Sequence, residues 1–126
     1  MEPLIIEKTK STPQVYFNAE DRVLSLKGAS YPENPFKFYE PLMKWLDGFF
    51  AKIEDDGLIK LEISLPYINT SSSKCILMLL EKFEDVGNNG RNVVVNWYYD
   101  QHNESDLECA QEFTEFVDLK FNLIAE

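Results

Sequence analysis

The sequence is poor in the residues that most often carry metal or redox chemistry, with one histidine and two cysteines in 126 residues. Cys75 and Cys109 have neither the spacing of zinc ligands nor the density of a secreted disulfide framework, so both are expected to be reduced thiols on helices. The glycine-rich loops that cradle dinucleotides or nucleoside triphosphates are also absent. We therefore expect no cofactor, no metal and no disulfide.

Long apolar runs and positive charge are scarce as well. No stretch approaches the roughly 18 apolar residues that a membrane helix needs, and the N-terminal MEPLIIEKTK lacks the basic start and apolar centre of a signal peptide. A total of 12 Lys and Arg against 22 Asp and Glu gives a formal net charge of -10, which repels nucleic acid and anionic lipid. The chain is therefore expected to be cytoplasmic, with no nucleic-acid or membrane partner.

Apolar residues, by contrast, are plentiful enough for one core, at 44% of the chain with 13% aromatics. In residues 59 to 65 apolar side chains alternate with Lys60, Glu62 and Ser64, so only one face of this strand is apolar. A strand covered on both faces is usually apolar throughout. The alternation therefore predicts a sheet with helices on one face and solvent on the other.

The predicted elements are two or three strands followed by helix, strand, helix, strand, helix and strand. Strands are predicted in residues 13–18, 22–28, 58–65, 91–99 and 120–125. Helices are predicted to begin at Pro35 with Asn34 as N-cap, at the hydroxyl cluster Thr70 to Ser73, and at Ser105, which opens a Ser-x-x-Glu capping box. The later crossovers require parallel neighbouring strands. We predict an α/β fold, a single domain over residues 1–126 with a mixed sheet and helices packed mainly on one face.

The hydroxyl cluster itself, Thr70-Ser71-Ser72-Ser73, lies where a strand ends and a helix begins. Functional groups in open α/β sheets are usually found at such places. A phosphoryl group there faces free backbone N–H groups and the positive end of the helix dipole. Serine and threonine are also common N-caps, so the pattern alone favours capping over a regulated hydroxyl.

An enzymatic interpretation depends on His102, which has Asp100 and Glu104 close by in sequence. Zinc requires three or four ligands from separated positions, and a Ser-His pair requires a serine within hydrogen-bond reach. One histidine beside acidic residues specifies neither arrangement. A small metal-dependent hydrolase is therefore a minor alternative, and a solvated turn is the favoured interpretation.

Three segments, SYPENP, LPYINTSSSK and VNWYYDQHNE, resemble in this order and spacing the SiaC family of bacterial regulatory phosphoproteins, over nearly the whole chain. The resemblance implies a fold similar to the STAS domain of anti-sigma-factor antagonists and a non-enzymatic partner switch. It implies that a cognate protein kinase phosphorylates Thr70 and that a metal-dependent phosphatase reverses this. In the implied scheme, the unphosphorylated form binds and activates a diguanylate cyclase, which promotes cyclic di-GMP signalling and biofilm growth.

The resemblance also assigns supporting residues. Asn69, Ser71 and Ser72 are expected to hold the phosphosite loop and to cap the second helix. The expected partner face includes Tyr31, Pro32, Glu33 and Asn34. The second alternative is an anti-sigma-factor antagonist that acts on a kinase-like anti-sigma factor, although familiar antagonists carry an Asp-Ser pair where this chain has Asn69-Thr70.

Overall fold

A computed structural model describes residues 1–126 as six strands and three helices. In chain order they are β1 (Leu4–Ile6), β2 (Gln14–Asn18), β3 (Val23–Lys27), α1 (Pro35–Lys52), β4 (Ile59–Ser64), α2 (Thr70–Asn88), β5 (Val93–Tyr99), α3 (Glu104–Phe116) and β6 (Lys120–Ala125). The short β1 is the third N-terminal strand whose existence the sequence left open. All three helices occur in the predicted order, α1 beginning at Pro35 and α2 at Thr70 as predicted.

The strands lie in the sheet in the same order as in the chain, β1 to β6. The first three pair antiparallel, and β3 to β6 pair in parallel. Three successive crossovers step in one direction across the sheet, and because such crossovers share one hand, they place α1, α2 and α3 on the same face. The predicted α/β fold, with a mixed sheet covered mainly on one face, is confirmed.

The alternation in β4 separates the two faces of the sheet as predicted. Ile59, Leu61 and Ile63 are fully buried beneath the helices, whereas Lys60 is exposed on the open face. Polar side chains continue across that face, where the Asn122 amide donates to Asn96 Oδ1 at 2.9 Å in the two C-terminal strands. The open face therefore carries polar, solvated side chains in its central and C-terminal strands, whereas Ile5 and Tyr16 add exposed apolar surface near its N-terminal edge.

The core lies between the sheet and the helices, and aromatic pairs connect its layers. The Trp97 ring of β5 stacks on Phe113 of α3 with centroids 5.1 Å apart, and Phe50 of α1 meets Phe83 of α2 edge-on at 5.2 Å. These contacts hold the helices against the sheet and against each other. Although α1 and α2 run for 18 and 19 residues, none of the three helices qualifies as a bilayer-spanning segment.

The start of α3 differs from the prediction. The helix begins at Glu104, and its N-cap is Asn103, whose side-chain oxygen accepts a hydrogen bond from the backbone N–H of Asp106 at 3.3 Å. The predicted capping residue, Ser105, is two residues too late along the chain, and the Ser-x-x-Glu capping box is not formed. Asparagine caps at least as well as serine, and it comes first along the chain.

The loop between α1 and β4 is fastened at the amino ends of the parallel strands. Arg22 forms an ion pair with Asp55 at 2.5 Å, and the Arg91 guanidinium donates to the Ile53 carbonyl at 2.6 Å. A backbone hydrogen bond from Gly57, with further help from Arg22, lowers the pKa of Asp55. The carboxyl ends of β3 and β4 lie at the opposite end of the sheet, where the SYPEN and NTSSS segments begin.

Candidate functional site

The SYPEN and NTSSS segments lie side by side because they leave the neighbouring strands β3 and β4 at the same edge of the sheet. Ser30 and Ile68 form an isolated parallel bridge. The Ser30 N–H donates to the Tyr67 carbonyl at 2.8 Å, and the Asn69 N–H donates to the Ser30 carbonyl at 3.0 Å. Two motifs that are well separated in sequence thus form one continuous surface.

The N-cap of α2 is the side chain of Asn69 and not a hydroxyl. Asn69 has extended backbone angles, and its Oδ1 accepts a hydrogen bond from the Ser72 N–H at 2.8 Å. The expectation that Ser71 or Ser72 also caps the helix is therefore wrong, whereas Asn69 has the expected role. With the cap supplied from outside the cluster, none of the four hydroxyls is needed for it.

The four hydroxyls have different environments. Thr70 and Ser71 are exposed, Ser72 is fully buried, and Ser73 is half-buried with its hydroxyl donating to the Asn69 carbonyl at 3.2 Å. Thr70 and Ser71 are therefore the two exposed hydroxyls of the cluster. Thr70 is the first residue of α2, where the backbone N–H groups have no partner within the helix.

Ser72 belongs to a buried chain of three hydroxyls. Ser30 Oγ donates to Ser72 Oγ at 3.0 Å and lies 2.7 Å from the Tyr39 hydroxyl of α1. Burial raises the pKa of Tyr39 to about 12, while its hydrogen bond with Ser30 acts in the opposite direction. Ser72 therefore supports the loop as expected, by fastening it to the SYPEN segment and to α1. Neither Ser30 nor Tyr39 was predicted to take part, although a tyrosine on the apolar stripe of α1 needs a polar partner.

The four residues of the expected partner face, Tyr31 to Asn34, have different environments. Asn34 caps α1 as predicted, with its Oδ1 accepting from the Lys37 N–H at 3.2 Å. Tyr31 is 36% exposed and meets the ring of Tyr67, 56% exposed, edge-on at 5.7 Å. Glu33 is exposed and Pro32 is half-buried. Tyr67 was not predicted, although it stands three residues before Thr70 in the same motif.

Two apolar grooves flank α2. The first, which we call the α2–α3 groove, is lined by Thr70, Ser73, Lys74, Leu77, Cys109, Glu112, Phe113 and Phe116. The second, the α1–α2 groove, is lined by Phe36, Tyr39, Glu40, Met43, Cys75 and Met78. Both grooves present exposed apolar side chains on the helical layer, and Thr70 belongs to the first. The sequence did not predict the grooves, because they depend on how the helices pack.

The alternative site at His102 is not assembled. His102, Asp100 and Glu104 are all exposed, and the contact among them is a hydrogen bond from the His102 backbone N–H to Asp100 Oδ1 at 2.9 Å. No group of three or more His, Cys, Asp or Glu side chains is placed to hold a metal ion.

Both cysteines are free thiols, as the sequence predicts. Burial raises the pKa of both Cys75 and Cys109, so each thiol loses its proton less readily than an exposed cysteine does.

The fold and the site together define an α/β domain with an exposed, partly apolar surface at the carboxyl end of its sheet. Its two motifs, its accessible hydroxyls and two exposed tyrosine rings are gathered at the carboxyl end of the sheet, and an apolar groove runs on from there. Exposed apolar surface of this kind is typical of protein-binding sites.

The chain belongs to the SiaC family of regulatory phosphoproteins, whose model matches residues 6–126. An uncharacterized protein of Pseudomonas aeruginosa strain UCBPP-PA14 is 34% identical over 125 residues, which is 99% of this chain and 98% of that protein. The crystal structure of apo-SiaC from Pseudomonas aeruginosa has a TM-score of 0.91 and 34% identity, covering 99% of this chain and 100% of its own.

A further similar structure is a complex. In the crystal structure of the diguanylate cyclase SiaD with its activator SiaC from Pseudomonas aeruginosa, the matching chain has a TM-score of 0.91 and 34% identity. The match covers 98% of this chain and 99% of that chain. The family resemblance seen in the sequence motifs is thereby confirmed.

Proposed function

We propose that this protein is a non-enzymatic partner switch whose unphosphorylated form binds and activates a diguanylate cyclase. Support comes from the crystallised complex of SiaC with the cyclase SiaD, since SiaC is 34% identical to this chain and has the same fold. Support also comes from the apolar, exposed side chains around the start of α2. In this scheme the protein acts by binding, and the cyclase performs the chemistry.

The phosphoacceptor in this proposal is Thr70. The observation that supports this assignment is that Asn69 caps the helix, so the exposed Thr70 hydroxyl is not needed for capping. A phosphoryl group on the first helical residue lies at the positive end of the helix dipole, so the modification does not oppose the fold. A cognate kinase would add the group, and a metal-dependent phosphatase would remove it.

Phosphorylation is expected to weaken cyclase binding through its charge. A phosphothreonine adds about -1.5 to -2 charges at neutral pH, here on a residue that lines the same groove as Leu77 and Phe116. A partner that covers this region has to strip water from that dianion, which is costly without a paired cation. The neighbouring Tyr31 to Asn34 segment is expected to contribute to the same face, because Ser30 is hydrogen-bonded to the phosphosite loop.

The test compares three forms of the protein against a full-length diguanylate cyclase, either SiaD of Pseudomonas aeruginosa or the cyclase of the source organism. The forms are unmodified protein, Thr70→Ala, and protein with phosphothreonine installed at position 70 during synthesis. We expect the first two to bind and to stimulate cyclic di-GMP production equally. The phosphorylated form should bind at least about tenfold more weakly.

Phosphoserine at position 71 is the matched control, because Ser71 is also exposed but does not line the α2–α3 groove. Equal binding by the Thr70-phosphorylated and unmodified forms would contradict the proposal.

No contact in the structure favours the two alternative functions, an anti-sigma factor as client or a hydrolase based on His102. We propose neither.

A further inference from the structure

We infer that two copies of this chain associate through their C-terminal strands, so that β6 of one copy pairs antiparallel with β6 of the other and the two sheets become one. A two-fold axis at Leu123 relates the two copies. The inference is independent of the proposed function, because it concerns the lateral edge of the sheet and not the loops at its carboxyl end.

One side of the β6 backbone has no partner in the chain. β6 is the last of the six strands in the sheet and pairs with β5 alone. The N–H of Glu126, the residue that follows β6, donates to the Tyr99 carbonyl at 2.8 Å, so Glu126 faces β5. Because backbone groups alternate in direction along a strand, those of Phe121, Leu123 and Ala125 point away from β5. We call these outward groups the β6 edge.

The two edges of the sheet differ in how far they are protected against pairing. β1 spans three residues, and an edge strand that short offers little for another strand to pair with. β6 spans six residues and contains no proline. Its register with β5 is continuous from Lys120 to Ala125, so no bulge interrupts it. An edge of this kind is a template for a further strand.

The helical layer ends before β6 and leaves apolar surface beside the β6 edge. In the row of register partners Leu61, Val95 and Phe121, the first two are fully buried and the third is half-buried. Leu123 is also half-buried, although its register partner Trp97 is only 1% exposed. A second copy at the β6 edge covers apolar surface of both side chains, which adds a hydrophobic contribution to the backbone hydrogen bonds.

One register uses the whole β6 edge. With Leu123 opposite Leu123 of the second copy, Phe121 lies opposite the small Ala125, and all three outward residues form hydrogen-bonded pairs. Each pair exchanges two hydrogen bonds, about six in all. A shift of the register by two residues in either direction loses one pair. The contact is the same patch on both copies, which is the usual form of a two-fold interface.

The same register is complementary in charge. It places Lys120 opposite Glu126 of the second copy, once at each end of the contact. Both side chains are exposed, and neither forms an ion pair within its own chain. They form a non-hydrogen-bonded pair, in which facing side chains are closest, and opposite charges there stabilise strand pairing. The net charge of -10 on each chain opposes association, but salt screens that repulsion beyond about 8 Å at physiological ionic strength.

The dimer leaves the proposed phosphoacceptor accessible. The two-fold axis is perpendicular to the joined sheet, so the helices of both copies lie on the same face. The parallel strands of the two copies run in opposite directions, and the two Thr70 residues therefore lie towards opposite ends of the dimer. Each copy can then bind a partner of its own.

The first experiment measures self-association of the full chain by sedimentation equilibrium at a salt concentration of about 0.15 M. Chain concentrations run from about 5 to 500 µM, which covers the range of weak and moderate dimers. The average mass should rise with concentration from the 14.7 kDa of one chain towards twice that value. A chain that stays monomeric throughout would overturn the inference.

Exchange of the two facing charges tests the register. Lys120→Glu and Glu126→Lys each place like charges opposite each other at both ends of the contact, so each should raise the dimer Kd about tenfold. Glu126→Lys should do so although it lowers the net negative charge. The double variant should return to within about threefold of the unmodified Kd. Lys10→Glu, exposed between β1 and β2, is the matched control for net charge and should change Kd less than about threefold.

A backbone variant tests the β6 edge itself. Ala125→Pro removes an outward N–H and keeps the hydrogen bonds to β5, because proline is tolerated where an edge strand faces solvent. It should raise the dimer Kd at least about tenfold, while circular dichroism shows the unmodified fold. A dimer that resists both Ala125→Pro and Lys120→Glu would overturn the inference, since another surface would then form it. Failure of the double charge variant to recover would overturn the register.

Discussion

Because Asn69 is the N-cap of α2 and Thr70 is not, substitutions at these two positions should change the free energy of unfolding by different amounts. Asn69→Ala removes the acceptor of the 2.8 Å hydrogen bond from the Ser72 N–H. Loss of an asparagine cap costs about 1 kcal/mol of unfolding free energy, within a range of about 0.5–2. The upper half of that range is expected here because the Ser72 N–H lies in a partly buried region and is left without a partner.

Thr70→Ala should behave differently. Its side chain is exposed and is not the cap, so the change in unfolding free energy should stay within about 0.5 kcal/mol. Alanine is also the better helix former at this position. Thr70→Ala should therefore leave the fold intact while removing the proposed phosphoacceptor.

The assay is urea unfolding followed by tryptophan fluorescence, with the m-values compared between variants to verify that only stability has changed. For a chain of this size a loss of 1 kcal/mol corresponds to a fall in Tm of about 3–5 °C. Asn69→Asp is the matched control, because it keeps a side-chain oxygen at the cap and should recover most of the loss. A Thr70→Ala variant as unstable as Asn69→Ala would refute the argument, since the hydroxyl would then be part of the helix start.

Two further predictions concern the buried hydroxyl chain. Ser30→Ala removes the oxygen that joins Ser72 and Tyr39, so the free energy of unfolding measured in urea should fall by about 1–3 kcal/mol. A fall no greater than that of the exposed control Ser71→Ala would contradict a stabilising role for the hydroxyl chain. Burial raises the pKa of Tyr39 to about 12 in the folded state, from an ordinary value of 10.0. The unfolded chain therefore loses this proton first as the pH rises, and the contribution of Tyr39 to stability is complete below pH 10.0 and is lost between pH 10.0 and 12. Over that range the free energy of unfolding should fall by up to about 1.4 kcal/mol per pH unit. Tyr39→Phe should remove this part of the pH dependence of unfolding, whereas the exposed control Tyr67→Phe should retain it.

The layering of the fold could be predicted from sequence because it depends on local repeats. The alternation around Lys60 and Glu62 has the period of a strand, and one polar face in the central strand already excludes helices on both sides. The order of helices and strands then fixes parallel neighbours through the rule on crossovers. These inferences need no knowledge of contacts between distant residues.

The details of the helix starts and of the site could not be predicted in the same way. Asn103 and Ser105 are both good caps, and the choice depends on which residue has extended backbone angles. The bond between Ser30 and Ser72 joins positions 42 residues apart, and one sequence contains no signal for that pairing. The α2–α3 groove depends on the distance between helices, which side-chain packing sets. The motifs themselves were visible, but not the contacts that join them.

The agreement between strand order in the sheet and strand order in the chain also bears on how the protein is made. Every strand after the first pairs with the strand before it, so no pairing spans more than one helical crossover, and the cost of closing each connection grows only slowly with its length. As the chain leaves the ribosome, each new strand can add to an edge that already exists. We expect the loop between β4 and α2, which carries the proposed phosphoacceptor, to be formed before β6 is synthesised. Until β6 arrives, the backbone groups along one side of β5 have no partner, and arrested or C-terminally truncated chains would offer that edge for aggregation.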